Sequence, residues 1–365
     1  LLAMIVLLAL IAYVAHYYWN VRKYPEGPLP LPLIGNLYHL DQTGIVLADG
    51  EVWREQRRVS LKIMRDHGMG KNIMEAQVNQ SIDQLLKQLV ETNDGVRPFD
   101  MNMPLQLCVG NIINETLFGY QFEHNNTARF EFFIDCIVKH LQSMKYHAFI
   151  EGEVNKVAKN FDRTQEPTNF VQSYLAEMER NRQLDLENLN AIVVDFWIAG
   201  METTSTTLRW ALLHLMRNPT AQLLSVVGRE RRIEMADKPD LPYFTAAIAE
   251  IQRTANMLPF VGTADSVVGG KFIPKDTLTL PQIHSVLKHD PLFEQRTDEF
   301  LPERFLEADG KTANKKRLDR LIAFGMGKRQ CVGEARMELF LILGNLLLNY
   351  RFRACEPVDL TPIFG

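Results

Sequence analysis

Charge is missing from the start of this chain: Leu1 to Trp19 contains no Asp, Glu, Lys or Arg. Cysteine is scarce throughout, with four in 365 residues, at Cys108, Cys136, Cys331 and Cys355. Cysteines so few and so widely spaced make no disulfide framework, and they fit a reducing, cytosol-facing compartment. A basic excess is also lacking, since the formal net charge is -4. That argues against a nucleic-acid partner, whose binder would carry a strong positive surplus. Neither nucleotide fingerprint occurs: there is no G-x-G-x-x-G, and Gly327-Lys328 runs into Arg329 where a phosphate loop needs Ser or Thr. No low-complexity tract or internal repeat stands out. What is present is apolar surface, 46% of residues, enough for one large core or two modest ones.

The most informative stretch is Phe324-Gly325-Met326-Gly327-Lys328-Arg329-Gln330-Cys331-Val332-Gly333, which leads into an apolar helical run from Glu334 to Leu348. A thiol at the mouth of a helix meets the positive end of the macrodipole and free backbone N–H groups, and both favour the thiolate. A thiolate is a soft metal ligand. Gly327 and Gly333 let main-chain donors approach the sulfur, which is how proteins tune an iron site. Phe324 can shield one face from water, and Arg329 can reach an anion at the edge of a flat cofactor. The competing readings are a phosphate cradle, a zinc site and an inert core cysteine. Phosphate lacks its fingerprint, and zinc lacks a second ligand at the right spacing around Cys331.

The uncharged start is long enough to span a bilayer, Tyr17, Tyr18 and Trp19 supply an interfacial belt, and Arg22 and Lys23 then hold the following chain in the cytosol. A cleaved signal peptide is the alternative, but no basic region precedes the apolar one and the aromatic cluster does not suit a cleavage site. Residues 1–21 therefore read as a membrane anchor. Prolines at Pro25, Pro28, Pro30 and Pro32 hold residues 22–36 extended, as a stiff hinge or as a ligand for another protein. Residues 37–365 form the globular part. Helical periodicity runs through Trp53 to Met64, Ile73 to Val90, Leu105 to Phe118, Phe130 to Leu141, Phe170 to Met178, Leu189 to Met216 and Leu241 to Met257. Val267 to Leu280, with Gly269-Gly270, reads as short strands and turns.

Three of these helices carry polar groups at suggestive spacings. Trp53 and Arg57 share a face at i, i+4, although a solvated charge run is the ordinary reading. In Ala199-Gly200-Met201-Glu202-Thr203-Thr204 a small residue lies one turn before a hydroxyl and an acid sits beside it, a plausible proton relay. The ordinary reading there is a kink at Gly200 with Thr hydroxyls bonded to the previous turn. Glu250 and Arg253 are neighbours at i, i+3, which alone means little.

Together these motifs resemble the cytochrome P-450 family of haem-thiolate monooxygenases, in its animal microsomal form. Phe324, Gly327, Arg329, Cys331 and Gly333 match its haem-binding signature; Ala199-Gly200-x-Glu202-Thr203-Thr204, Glu250-x-x-Arg253 and Pro302-Glu303-Arg304-Phe305 match three further motifs in the family's order. The resemblance implies a mostly α fold with a small β region and an N-terminal transmembrane helix, in the endoplasmic reticulum membrane. It implies haem b (iron protoporphyrin IX) with Cys331 as its axial ligand and Trp53, Arg57 and Arg329 on its propionates. Ala199 and Gly200 would give room for oxygen and substrate, and Thr203 and Glu202 would deliver protons. Glu250, Arg253 and Arg304 would form a buried structural network. A lipophilic small molecule would be the substrate, and an NADPH-dependent flavoprotein reductase, with cytochrome b5, the electron donor.

The same resemblance implies an incomplete version of that fold. Leu37 to Gly50 is short where the family has a helix, strands and a substrate-contacting loop. Phe122 to Phe161 is too short for the family's pair of helices with its long loop, and Phe260 to Ala264 has no basic propionate partner. Two residues are missing after Cys331, which would turn the following helix by roughly 200° unless its start rewinds. The carboxyl end falls inside the family's usual last strand pair.

Overall fold

The computed structural model describes residues 12–19, 43–46, 48–69, 72–92, 97–124, 126–140, 144–224, 228, 230–254, 266–268, 271–273, 283–293, 296–331 and 335–355. In chain order the helices are α1 (Gly50–Asp66), α2 (Asn72–Thr92), α3 (Asn102–Phe118), α4 (Ala128–His140), α5 (Met144–Asn160), α6 (Phe170–Met178), α7 (Leu186–Arg217), α8 (Pro219–Leu224), α9 (Pro242–Thr254), α10 (Ile283–His289), α11 (Lys315–Arg320) and α12 (Ala335–Asn349). Strands β1 (Ser266–Val268) and β2 (Lys271–Ile273) pair antiparallel with Val267 opposite Phe272, and Leu306 and Ala313 form an isolated bridge. The fold is mostly α with a small β component, as the sequence indicates.

The expected membrane anchor falls largely outside the described residues. Residues 12–19 are helical, and among the described residues no helix is long and apolar enough to cross a membrane. The proline-rich hinge at 22–36, Gly333, and the segment from Phe260 to Ala264 also lie outside them.

The chain divides into two compact units, the first made of Leu1–Ile63 and Leu117–Phe196, the second of Met64–Thr116 and Trp197–Gly365. In the first, the faces of α4 to α6 and of the first part of α7 meet: Phe133 of α4 stacks on Phe149 of α5 at 4.3 Å, and Phe170 of α6 meets Phe196 of α7 edge-on at 5.4 Å. Asn169 caps α6 by accepting the Gln172 N–H at 3.0 Å, and its amide donates to the Phe118 carbonyl. The sequence reading passed over one helix between Phe122 and Phe161. That stretch holds two helices, α4 of 13 residues and α5 of 17, because Ile150, Val154 and Val157 repeat at helical spacing despite the polar composition of α5.

The second unit has the larger core. Met74, Val78, Ile82, Leu85 and Leu89 line one stripe of α2, at the spacing that puts an apolar face on a helix. They join Leu105, Val109 and Ile112 of α3, Leu208 and Leu215 of α7, and the buried body of α12. α12 is buried on every side from Met337 to Leu347. Two residues of that buried run are polar, Glu338 and Asn345; Asn345 Oδ1 accepts the Ile233 N–H at 3.0 Å and its Nδ2 donates to the Ile233 carbonyl at 3.0 Å. Gly344 is required by close packing, since a Cβ there would lie 2.9 Å from the Phe244 ring.

Candidate functional site

Cys331 ends a tight loop. Gly325 and Gly327 have φ of 73° and 74°, a left-handed conformation that residues with a side chain rarely adopt. Those two turns let Gly327–Arg329 close a short 3₁₀ turn and let the Cys331 N–H donate to the Phe324 carbonyl at 2.9 Å. The thiol is free and exposed, four residues before α12 begins at Ala335. Phe324 is half-buried, and the Arg336 guanidinium lies over its ring at 4.7 Å, a cation–π contact joining the loop to the helix. Arg329 is half-buried at the end of the 3₁₀ turn. Cys108 is the opposite case: a wholly buried core residue of α3 whose thiol is pushed well above the usual range by burial and then by the charge of Glu338.

On α7 the structure realises the ordinary arrangement at Thr203, whose hydroxyl donates to the Ala199 carbonyl at 2.6 Å. Ala199 is exposed and Thr203 half-buried, so this face of α7 is open within its unit. The room left by Gly200 is taken by a neighbour, because a Cβ there would meet Ile113 of α3 at 3.3 Å. Glu202 turns the other way along the helix. Its Oε1 accepts from the Thr206 hydroxyl at 3.0 Å and from Arg209 at 3.2 Å, while its Oε2 is buried with no hydrogen-bond partner. The structure thus places Glu202 and Thr203 side by side in sequence without joining them.

Trp53 and Arg57 do meet: the guanidinium lies 5.8 Å from the Trp53 ring centroid on one half-buried face of α1. Arg54 and Arg58 are exposed, and each is engaged by an acid one turn earlier, Glu51 and Glu55. The segment before α1 is held by Asp195, a residue the sequence reading passed over. One oxygen of Asp195 accepts the N–H of Ile45 at 2.7 Å and of Val46 at 2.9 Å. Burial raises its pKa, and those two N–H donors oppose the rise. A lone acid inside the apolar run Val193-Val194-Asp195-Phe196-Trp197 was the signal available in the sequence.

The Glu250, Arg253 and Arg304 side chains come together in the second unit. Arg253 binds Glu250 bidentately, with both contacts at 2.8 Å and both side chains fully buried. Arg304 joins at 3.5 Å, and Glu250 also accepts the Leu301 N–H at 3.1 Å. The remaining guanidinium donors end on carbonyls: Arg253 on Thr297 at 2.7 Å, Arg304 on Arg296 at 3.0 Å and on Phe293. Burial lowers the Arg304 pKa, and the Glu250 charge counters that.

A family model described as cytochrome P450 matches residues 4–146 and 130–365, which together cover nearly the whole chain. The chain belongs to the cytochrome P-450 family. Among curated relatives, mouse (Mus musculus) cytochrome P-450 2J5 is 30% identical over 92% of this chain and 79% of its own length. Cytochrome P-450 2D20 of Mesocricetus auratus is 32% identical over 88% of the chain and 73% of the relative. The alignment with bovine (Bos taurus) cytochrome P-450 2E1, 30% identical, runs over 450 positions although this chain has 365 residues. Stretches of that relative are therefore absent from within the aligned region, as expected for an incomplete member.

Membership makes this P-450 an oxidoreductase of the monooxygenase type and implies a haem-iron cofactor. The residues present fit such a group. An exposed free thiol stands behind two left-handed glycines, and a carboxylate oxygen of Glu202 is buried with no partner of its own.

Proposed function

We propose that this P-450 inserts one atom of O₂ into a lipophilic small molecule of the xenobiotic, fatty-acid or steroid class. An NADPH-dependent flavoprotein reductase supplies its electrons, with cytochrome b5 as a second donor. The observation that carries the reading is the contrast between cysteines, since Cys331 is exposed in a glycine-bent loop and Cys108 is sealed in the core. Thiolate ligation by Cys331 would give haem b the electron-rich iron that favours O–O bond cleavage.

The chain's own residues do the rest. Trp53, Arg57 and Arg329 bind the propionates, with guanidinium forks suited to carboxylates. Phe324 shields the sulfur, and the N–H groups near Gly327 and Gly333 temper its charge. The open face at Ala199 and Thr203 receives substrate, and Gly200 lets α3 approach beside it. Glu202 and Thr203 pass protons into the site once the Thr203 hydroxyl leaves the Ala199 carbonyl. Glu250, Arg253 and Arg304 fix the scaffold. Residues 1–21 anchor the protein in the endoplasmic reticulum membrane and residues 22–36 space it from the surface.

The alignment with the longer bovine relative favours a second reading, a haem-binding form with impaired turnover, because a site with a shortened roof excludes water poorly. The test has two stages. The dithionite-reduced, CO-treated protein is expected to show a strongly red-shifted Soret band, and an unshifted band would overturn thiolate ligation. Product formed per NADPH oxidised, over a panel of lipophilic substrates with added reductase, then separates the readings: tight coupling supports the first and NADPH loss without product the second.

A further inference from the structure

The Glu202 carboxylate is held asymmetrically. Thr206 and Arg209 lie four and seven residues after Glu202, on the same face of α7, and both donate to Oε1. Arg209 donates as well to the Thr206 hydroxyl at 2.5 Å, and through its other terminal nitrogen to Asn102 Oδ1 at 2.6 Å. Asn102 opens α3, where its own N–H is fixed by Asp100 Oδ1 at 2.9 Å. The guanidinium is thus set by a second helix before it grips the carboxylate. Its planar fork transmits that orientation as a flexible ammonium would not.

A carboxylate has two oxygens, each able to accept more than one hydrogen bond. Here one oxygen takes both donors and the other, Oε2, is buried and takes none. A buried polar atom left without a partner in a folded protein calls for a specific explanation, of which a catalytic role is one. The Thr203 hydroxyl does not fill the vacancy, because it donates to Ala199.

We propose that Arg209 and Asn102 are positioning residues that fasten Glu202 by Oε1 and so define Oε2 as the atom that carries the proton inward. This rests on the reading of Glu202 as a proton donor. Oε2 gives its proton to a water molecule on the inner side of the helix and takes one back from bulk water, so one O–H bond is broken and one formed per transfer, the residue returns to its starting state and no electron moves. A purely structural pairing would stabilise α7 and α3 and leave proton delivery unchanged.

The experiment uses the full chain with Arg209→Met, Arg209→Lys, Asn102→Ala and Glu202→Gln. The first readout is independent of turnover: the carboxylate infrared bands of protein labelled with ¹³C-glutamate, the Glu202 band being the one lost in Glu202→Gln. The second is the pH profile of NADPH oxidation in reductase-containing membranes. Arg209→Met is expected to move the Glu202 band and to slow proton-dependent oxidation roughly tenfold, part of what a general acid–base group supplies. Arg209→Lys is expected to recover part of that loss, and Asn102→Ala to reproduce a smaller one. An unmoved band in Arg209→Met and Asn102→Ala overturns the proposal, and so does a moved band with a parental pH profile. Parental oxidation in Glu202→Gln removes the proton-donor reading itself, and the infrared shift would then report only a structural clamp.

Discussion

The Glu250 cluster and the Cys331 loop belong to the same unit and could hardly be built more differently. In the first, a carboxylate and a guanidinium with no solvent exposure are matched atom for atom, and the surplus donors end on main-chain carbonyls. In the second, an exposed thiol sits at the end of eight residues held by a few backbone hydrogen bonds and two left-handed glycines. The difference separates what the fold needs from what the chemistry needs. Buried charges are costly to strand, so the cluster is part of the scaffold's stability. The thiol contributes nothing to packing and is left available as a ligand.

The sharpest way to break this contrast is Arg253→Ala. Removing the guanidinium takes away both 2.8 Å contacts and leaves the buried Glu250 carboxylate with only the longer 3.5 Å contact to Arg304, a loss of roughly 3–5 kcal/mol. Denaturant unfolding of the haem-free chain is expected to show a midpoint lowered accordingly. An unchanged midpoint would mean that the cluster is not closed to water as its geometry indicates.

Acid probes the same region with a smaller effect. His214 is stacked on Phe300 at 4.8 Å with Nε2 3.1 Å from the Thr254 hydroxyl, and its Nδ1 is buried without a partner. Burial, then the charges of Arg217 and Arg253, lower its pKa from 6.5 to about 4. Between those values the unfolded chain binds a proton that the folded chain refuses. Stability is therefore fully present above pH 6.5 and falls as pH drops toward 4, by at most about 3 kcal/mol from this group. In His214→Phe, which keeps the stack, that part of the slope is expected to vanish. A slope identical to the parent's would assign the acid sensitivity to other groups.

How much of this was legible beforehand follows the same division. The apolar stripes of α2 and α3 announce themselves by period, and the order of motifs along the chain indicated the family. α5 was missed because Lys145, Glu151, Glu153, Lys156 and Lys159 mask the Ile150, Val154, Val157 stripe. At the site, spacing put Thr203 beside Glu202, but spacing cannot say where a rotatable hydroxyl or carboxylate points. The structure turns one back to Ala199 and the other forward to Arg209. Arg209 was visible only as a residue seven positions on, and its hold depends on Asn102, 107 residues away in sequence.

The smallest effect on stability, and the most discriminating, is expected at Cys331. An exposed side chain outside the core changes unfolding free energy by less than about 0.5 kcal/mol when replaced conservatively, so Cys331→Ser is expected to unfold like the parent in the haem-free state. The same variant is expected to lose the red-shifted CO band completely, because a hydroxyl does not replace a thiolate as a soft ligand. Cys108→Ser is the mirror image. It places a hydroxyl in a fully buried position, a cost of roughly 1–3 kcal/mol, and leaves the CO band where it was. Cys355→Ser, exposed like Cys331 but without the glycine-bent loop, is expected to change neither quantity. If the CO band survived in Cys331→Ser and disappeared in Cys355→Ser, exposure alone would have been the wrong guide and the loop would not be the ligand's seat. If Cys331→Ser lost both band and stability, the loop would belong to the scaffold, and the separation between the Glu250 cluster and the Cys331 loop would not hold.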